Sequence, residues 1–304
     1  MLAGALAVVA PAATPATFEV LRWTAPGAEL AALTTQPSAC PRYAGENTLQ
    51  GHAGQALFNS PALLGGQAAK AGLSCASCHV NGRGNNHFLM SGVSDTPGTA
   101  DVTNSFFSAA RGNGRFDPVA IPDLARPGKV AREPAAGALE PFIRTLIVDE
   151  FAGQEPTPAM LAALGHYVRA VRGCDGGDWK ARRSIEDQLH LVRAAIDGAV
   201  DMAARGDTKA VRALIAAGRH QLGVIAERYL APSFRRERDQ LLRSSRALAA
   251  LNDLADRPDA FAVAAKTWRA DFQATLAARL RRNAQRSLYN PAKLGFVAPQ
   301  QDSR

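Results

Sequence analysis

The second half of the chain reads as helix almost without interruption. Apolar positions recur every three or four residues along Ile185, Leu189, Val192, Ile196 and Val200, then along Val211, Leu214, Ile215, Leu222, Ile225 and Tyr229. A third stripe runs through Phe234, Leu241, Leu242, Leu248 and Leu251, and a fourth through Phe261, Ala264, Ala265, Trp268, Phe272, Leu276 and Leu280. This is the period of a helix with one buried face. It predicts four long helices, over 178–205, 208–230, 233–255 and 259–287. Breaks fall at Gly206-Asp207, Ala231-Pro232-Ser233 and Arg257-Pro258-Asp259, where a capping residue or a proline at the first helical position marks each new start. Short connections make consecutive helices antiparallel, so residues 175–290 are expected to form an antiparallel four-helix bundle. A surface tail over 291–304, loop-like from about Ser287, is expected to follow.

The first half is less regular. Residues Thr17–Trp23 alternate between apolar and polar, which predicts a short strand or extended arm. A short helix is expected at 29–33, another from Gly51, and a third over about 138–149 with Leu139, Phe142, Ile143, Leu146 and Ile147 on one face. Thr157-Pro158 then caps and opens a helix over 159–171, whose apolar face holds Leu161, Leu164, Val168 and Val171. Between these, Asn81-Gly-Arg-Gly-Asn-Asn86 and the Pro-rich stretch 118–134 are loops. Gly173-Cys-Asp-Gly-Gly177 reads as a hinge. The expected fold class is all-α, with one domain over 14–174 and a helical one over 175–290.

Composition narrows the class. With 304 residues and 47% hydrophobic positions the chain is long enough for a large core, and aromatics are scarce at 6%. The apolar run Met1–Ala10, followed by Ala10-Pro11-Ala12, predicts a secretory leader over residues 1–13 without the usual basic start. Charge is uneven. Residues 1–174 hold 12 basic and 12 acidic side chains, whereas 175–304 hold 23 and 15, so the whole +8 lies in the helical half. Such a face suits an acidic redox partner or an anionic membrane surface. No nucleic-acid-binding motif accompanies it, so nucleic acid is not an expected partner. The pattern sets no oligomeric state.

The chemistry sits in Cys75-Ala-Ser-Cys78-His79. A C-x-x-C-H run is the attachment signature of a c-type haem. Two cysteines three apart reach the two vinyl groups of one haem as thioethers, and His79 then gives its imidazole to the iron as proximal ligand. A thioredoxin-like site would need a βαβ pattern, and zinc would need a second soft pair, and the sequence has neither. One covalent haem c with its iron is therefore the expected cofactor, which points to a periplasmic or otherwise exported protein. Cys40 and Cys174 remain, either as one disulfide closing the ends of the haem region or as two free thiols.

Three residues are candidates for the sixth iron position: Met90 first, then His87, then Met160. Arg83, Arg111 and Arg115 lie in loops expected to line the haem, where each is a candidate partner for a propionate.

Gly54-Gln-Ala-Leu-Phe58, leading to the C-x-x-C-H motif, resembles the approach to haem in bacterial cytochrome c peroxidases and their MauG-like relatives. The segment Pro97-Gly-Thr-Ala-Asp101 to Arg111-Gly-Asn-Gly114-Arg115-Phe116 is similar to their haem-edge loop, with Ala109-Ala110-Arg111-Gly112 where an aromatic residue or His is usual. The 159–171 helix resembles the last helix of a cytochrome c domain. The resemblance covers about 50–172 and implies a single haem domain of that superfamily. It also implies that Glu150, in Val148-Asp149-Glu150-Phe151, stands where those enzymes place an acid–base group. Those peroxidases carry two haem motifs, whereas this chain carries one, which removes a two-haem relay within the chain. The expected function is that of an exported monohaem cytochrome passing electrons. A peroxidase-like enzyme is the alternative, followed by a haem-based ligand sensor.

Overall fold

The computed structural model describes residues 18–43, 48–107, 110–133, 137–174 and 180–294. The expected leader at 1–13, residues 175–177 of the expected hinge and the tail beyond 294 lie outside them. The described chain is mostly helical. In order it contains α1 (Glu29–Thr34), β1 (Thr35–Pro37), α2 (Thr48–Phe58), α3 (Gly66–Ala71), α4 (Cys75–Cys78), β2 (Thr99–Ala100), β3 (Val119–Ala120), α5 (Leu139–Thr145) and α6 (Pro158–Ala170). There follow β4 (Lys180–Arg182), α7 (Ile185–Ala204), α8 (Thr208–Ala226), α9 (Arg235–Ala250), α10 (Pro258–Phe272), α11 (Ala278–Asn283) and α12 (Pro291–Leu294). A π-helical turn, Leu146–Glu150, extends α5, and another, Gln273–Ala277, joins α10 to α11. No helix among the described residues is long and apolar enough to cross a membrane.

The four apolar stripes become α7, α8, α9 and the run α10–α11. Helix α7 packs on α8, α8 on α9, and α10 on both α7 and α9. Caps stand where the sequence placed them: Asp207 Oδ1 accepts from Ala210 N at 2.9 Å to start α8, and Thr157 Oγ1 accepts from Met160 N at 3.2 Å to start α6.

Helix α2 joins the two halves. It packs on α6 and also on α7. Small residues allow this: a Cβ on Gly54 would stand 2.0 Å from the Ala163 carbonyl oxygen, and one on Gly198 would stand 2.7 Å from Ala53 Cβ. One continuous apolar cluster therefore runs from Trp23 through α2, α6, α7 and α8 to Tyr289, across the expected boundary near residue 175. Cys40 and Cys174 form a disulfide with Cα atoms 5.0 Å apart.

Three local expectations differ. Glu19–Trp23 is a 3-10 helix rather than an extended arm, because a compact turn buries both Phe18 and Trp23 while Thr24 Oγ1 donates back to the Val20 carbonyl at 2.7 Å. The helix expected from 178 starts at Ile185. Ser184 N donates to Asp187 Oδ2 at 2.6 Å, and this capping box fixes the start. The residues before it form β4, antiparallel to β1 with Thr35 opposite Arg182. Finally, residues 287–294 are packed rather than lying loose on the surface. Tyr289 is buried beside Tyr229, Arg228 stands over the rings of Phe18 and Tyr289, and Leu294 joins Phe18 and Leu33 in a small second cluster.

The close approach at α2 makes a paired prediction. Gly54→Ala pushes a methyl into the α6 backbone and costs about 1–3 kcal/mol or more. Gly223→Ala, on a helical position with nothing within 4 Å of the new methyl, gains about 0.5–1 kcal/mol. Urea unfolding of the two variants checks both signs.

Candidate functional site

The C-x-x-C-H motif occupies a single helical turn. Gly72, at φ +79°, ends α3 in the left-handed conformation and turns Leu73 into the core. Ser74 then caps α4, with Ser74 N donating to Ser77 Oγ at 3.0 Å. Because α4 is helical, Cys75, Cys78 and His79 stand at i, i+3 and i+4 and share one side. All three face a cavity of about 760 Å³. Its walls are apolar: Phe58 from the end of α2, Leu164 and Val168 from α6, and α5 with its π-turn through Phe142, Ile143, Leu146 and Ile147. The loop 119–124 and residues 129–131 complete it.

His79 is held by its Nδ1. That atom lies 3.1 Å from the Arg83 carbonyl oxygen and 3.2 Å from the Pro122 carbonyl oxygen. Two acceptors at Nδ1 require the proton there, so Nε2 keeps its lone pair. Burial holds the imidazole below the ordinary histidine pKa, against the pull of these carbonyls and of Asp123, which keeps it neutral. Cys75 and Cys78 are unbridged thiols, both pushed up to about 12 by burial. Neutral thiols in an apolar wall lack the thiolate character of a reactive redox site. They suit attachment by carbon–sulfur bonds to an apolar group.

The donor set therefore fits a haem. The cavity has ligand-site size, its lining is apolar, two thiols stand one turn apart, and a neutral imidazole beside them has Nε2 available. Among the described residues no group of three or more His, Cys, Asp or Glu comes together to hold a bare metal ion. Iron here would be carried by the macrocycle and His79.

The other predicted site residues are placed differently. Met90 is partly buried against the core, His87 is half-buried, and Met160 is buried in the first turn of α6, and none of the three is part of the cavity lining. The loop bearing His87 and Met90 is pinned to the N-terminal segment: Ala25 N donates to the His87 carbonyl at 2.8 Å and Leu89 N to the Trp23 carbonyl at 2.9 Å. Arg83 is nearly buried, and its guanidinium donates to both Asp123 carboxylate oxygens, at 2.7 and 2.8 Å, and to the Ser38 carbonyl at 2.6 Å. Arg115 is exposed. Arg111 Nη1 lies 3.0 Å from Glu150 Oε1. Glu150 is 1% exposed and its Oε2 has no hydrogen-bond partner. Burial raises its pKa, with Asp149 and Asp101 adding to the rise and Arg111 opposing it. Glu150 ends the π-turn whose Leu146 and Ile147 line the cavity.

Asp123 and Pro122, which hold the His79 side of the site, carried no motif. They read only as part of a Pro-rich loop. Burial alone would raise the Asp123 carboxyl, but the Arg83 fork, the Ala125 N–H and nearby Arg126 together hold it below the usual range. Phe58, in the resemblance segment, has its ring 6.4 Å from that of His79 and 5.2 Å from that of Tyr167.

A second cavity, of about 570 Å³, is lined by Ser74, Ala76 and Ser77 on its α4 side and mixes polar with apolar walls. Glu19, Glu227, His190 and His220 line it. Burial pushes His190 and His220 down to about 4, so both are neutral at pH 7. His190 Nε2 donates to Gln55 Oε1 at 2.9 Å while Arg193 donates to its Nδ1 at 3.1 Å. Burial, with Glu227 adding, lifts Glu19 to about 7. The 3.5 Å contact between His220 Nε2 and Glu19 Oε1 is therefore a weak polar contact and not a full ion pair.

Between about pH 4.5 and 7 the folded chain binds a proton at Glu19 that the unfolded chain has released. The resulting stability is present below pH 4.5 and is lost as pH rises through 7. Glu19→Gln removes this slope. Relative to the parent chain, the variant gains up to about 3 kcal/mol between pH 4.5 and 8, read from urea unfolding at both pH values.

No family model matches the chain, and neither the curated proteins nor the solved structures contain a significant match to it.

Proposed function

We propose that the chain is an exported monohaem c-type cytochrome that exchanges single electrons, with one haem joined to Cys75 and Cys78 and ligated by His79 Nε2. The observation that carries this reading is the convergence of those three side chains on one large apolar cavity, with His79 Nδ1 already committed to two carbonyls. When bound, haem supplies the one-electron couple. The protein's part is to anchor it by two thiols, to orient the imidazole and to keep water from the iron by the α2, α5 and α6 walls. The Cys40–Cys174 disulfide supports an oxidising compartment.

On this reading residues 14–174 are a cytochrome c-like haem domain, and the cyclic packing of α7, α8, α9 and α10 is a four-helix bundle. The bundle's excess of Arg suits docking to an acidic redox protein or to an anionic membrane surface.

One observation favours a second reading, a peroxidase-like enzyme. Glu150 is a buried carboxyl with a raised pKa and an unpartnered oxygen, on the helical turn that walls the cavity. A carboxyl in that state can hold or release a proton at Oε2.

The carrier reading predicts ferric protein that is reduced and reoxidised reversibly and consumes no hydrogen peroxide, with Glu150→Gln unchanged in both respects. Rapid peroxide consumption that falls about 10²–10⁴-fold in Glu150→Gln would establish the enzyme instead. The position of Met90 outside the cavity lining further predicts that Met90→Ala keeps the parent ferric absorption spectrum. A change of spin state in that variant would mean that its loop closes onto the iron.

A further inference from the structure

Arg83 and Asp123 form a buried ion pair, with side chains 9% and 8% exposed. Buried ion pairs add little net stability, because desolvation offsets most of their attraction. This one is more informative for where it sits. The two carbonyls that accept hydrogen bonds from His79 Nδ1–H belong to Arg83 itself and to Pro122, the residue before Asp123. The two carbonyls come from separate segments of the chain, and the bidentate guanidinium–carboxylate fork between Arg83 and Asp123, 40 residues apart, ties those segments together.

The fork is anchored from outside as well. Arg83 Nη1 donates to the Ser38 carbonyl at 2.6 Å, and Asn81 Nδ2 donates to the Pro37 carbonyl at 2.9 Å. The 35–40 segment is in turn fixed by its pairing with β4 and by the Cys40–Cys174 disulfide. The Asp123 carboxylate has a further tie, accepting from Ala125 N at 3.0 Å. Thus each carbonyl that faces His79 is held on a frame, and the Arg83–Asp123 fork is the direct link between them.

We propose that the Arg83–Asp123 pair is a positioning device for His79: it sets the spacing of the two carbonyls, and through them the ring orientation and the strength of Nδ1–H donation. It acts through His79 and touches no reacting atom. The inference rests on the haem reading above. An imidazole that donates strongly from Nδ1 is a more basic ligand at Nε2 and stabilises the ferric state. Loosening the fork weakens that donation and raises the reduction potential.

Charge and geometry can be separated, because the two partners carry opposite charges. If the pair acted by charge alone, Arg83→Gln would lower the potential, Asp123→Asn would raise it, and the double variant would return to the parent value. If it acts by positioning, the double variant, in which the charge changes cancel, sits above the parent, and Arg83→Gln does not fall below it. We expect the double variant to hold several-fold, up to about tenfold, more ferrous haem than the parent at a fixed solution potential, and tenfold corresponds to about 59 mV for one electron.

The experiment is a spectroelectrochemical titration of the full-length haem-loaded parent and of the three variants, after pyridine haemochrome assay of each. A parent that carries no covalent haem overturns the haem reading, and this inference with it. A haem-loaded parent and double variant with the same potential overturn the inference and leave the haem reading standing. Should a single variant fail to accumulate, the charge-balanced double variant decides the matter alone. Its failure to take up haem while Arg83→Lys, which keeps the charge and one hydrogen bond, loads normally would support the positioning role.

Discussion

The close approach of α2 to α6 and α7 is the constraint on which the rest of the molecule depends. Gly54 lies against the Ala163 carbonyl, and Ala53 meets Gly198. No larger side chain fits at either glycine without moving backbone or a neighbouring helix. Through these contacts the region that bears the C-x-x-C-H turn and the long C-terminal helices share one core. Helix α2 then delivers Phe58 at its end to the cavity wall, beside His79. Packing in the middle of a short helix is thereby coupled to the surroundings of a candidate iron ligand at its C-terminal end.

The site itself combines an apolar cavity with a small set of polar restraints placed around its edge. Burial keeps the two thiols and the imidazole neutral, and neutral groups cost little to leave in an apolar wall. The polar work is done outside the cavity by backbone carbonyls, an ion pair and a disulfide-bonded segment. The architecture separates two tasks. The cavity supplies an apolar chamber of about 760 Å³, and the surrounding frame fixes the direction of the imidazole. Glu150 departs from this plan. It is a buried carboxyl beside the cavity whose neighbour Arg111 satisfies one oxygen and leaves the other without a partner.

Much of this was legible in the sequence for identifiable reasons. The long amphipathic stripes specified α7 to α10, since a period near 3.6 over many turns admits little else. The C-x-x-C-H turn was legible because the i, i+3, i+4 spacing is local. What failed to read was whatever long-range contact decides. Lys180–Arg182 is a strand because it meets Thr35–Pro37, more than 140 residues away, and the expected helix start at 178 passed over the local signal of the Ser184–Asp187 capping box. Residues 287–294 fold inward because Arg228 and Tyr229 supply partners for Tyr289. Arg83 read as a candidate for haem propionate, yet its guanidinium is committed to Asp123 and Ser38, an arrangement that no local pattern announces. The pinning of the His87–Met90 loop away from the cavity lining is equally non-local.

The measurement that bears most directly on this account is the intact mass of the full chain after export from a host with a functioning c-type haem maturation system. The account predicts the mass of the polypeptide plus one haem, surviving denaturation, with the addition lost from a Cys75→Ala/Cys78→Ala variant. Unmodified polypeptide from a host that loads other C-x-x-C-H proteins would contradict it.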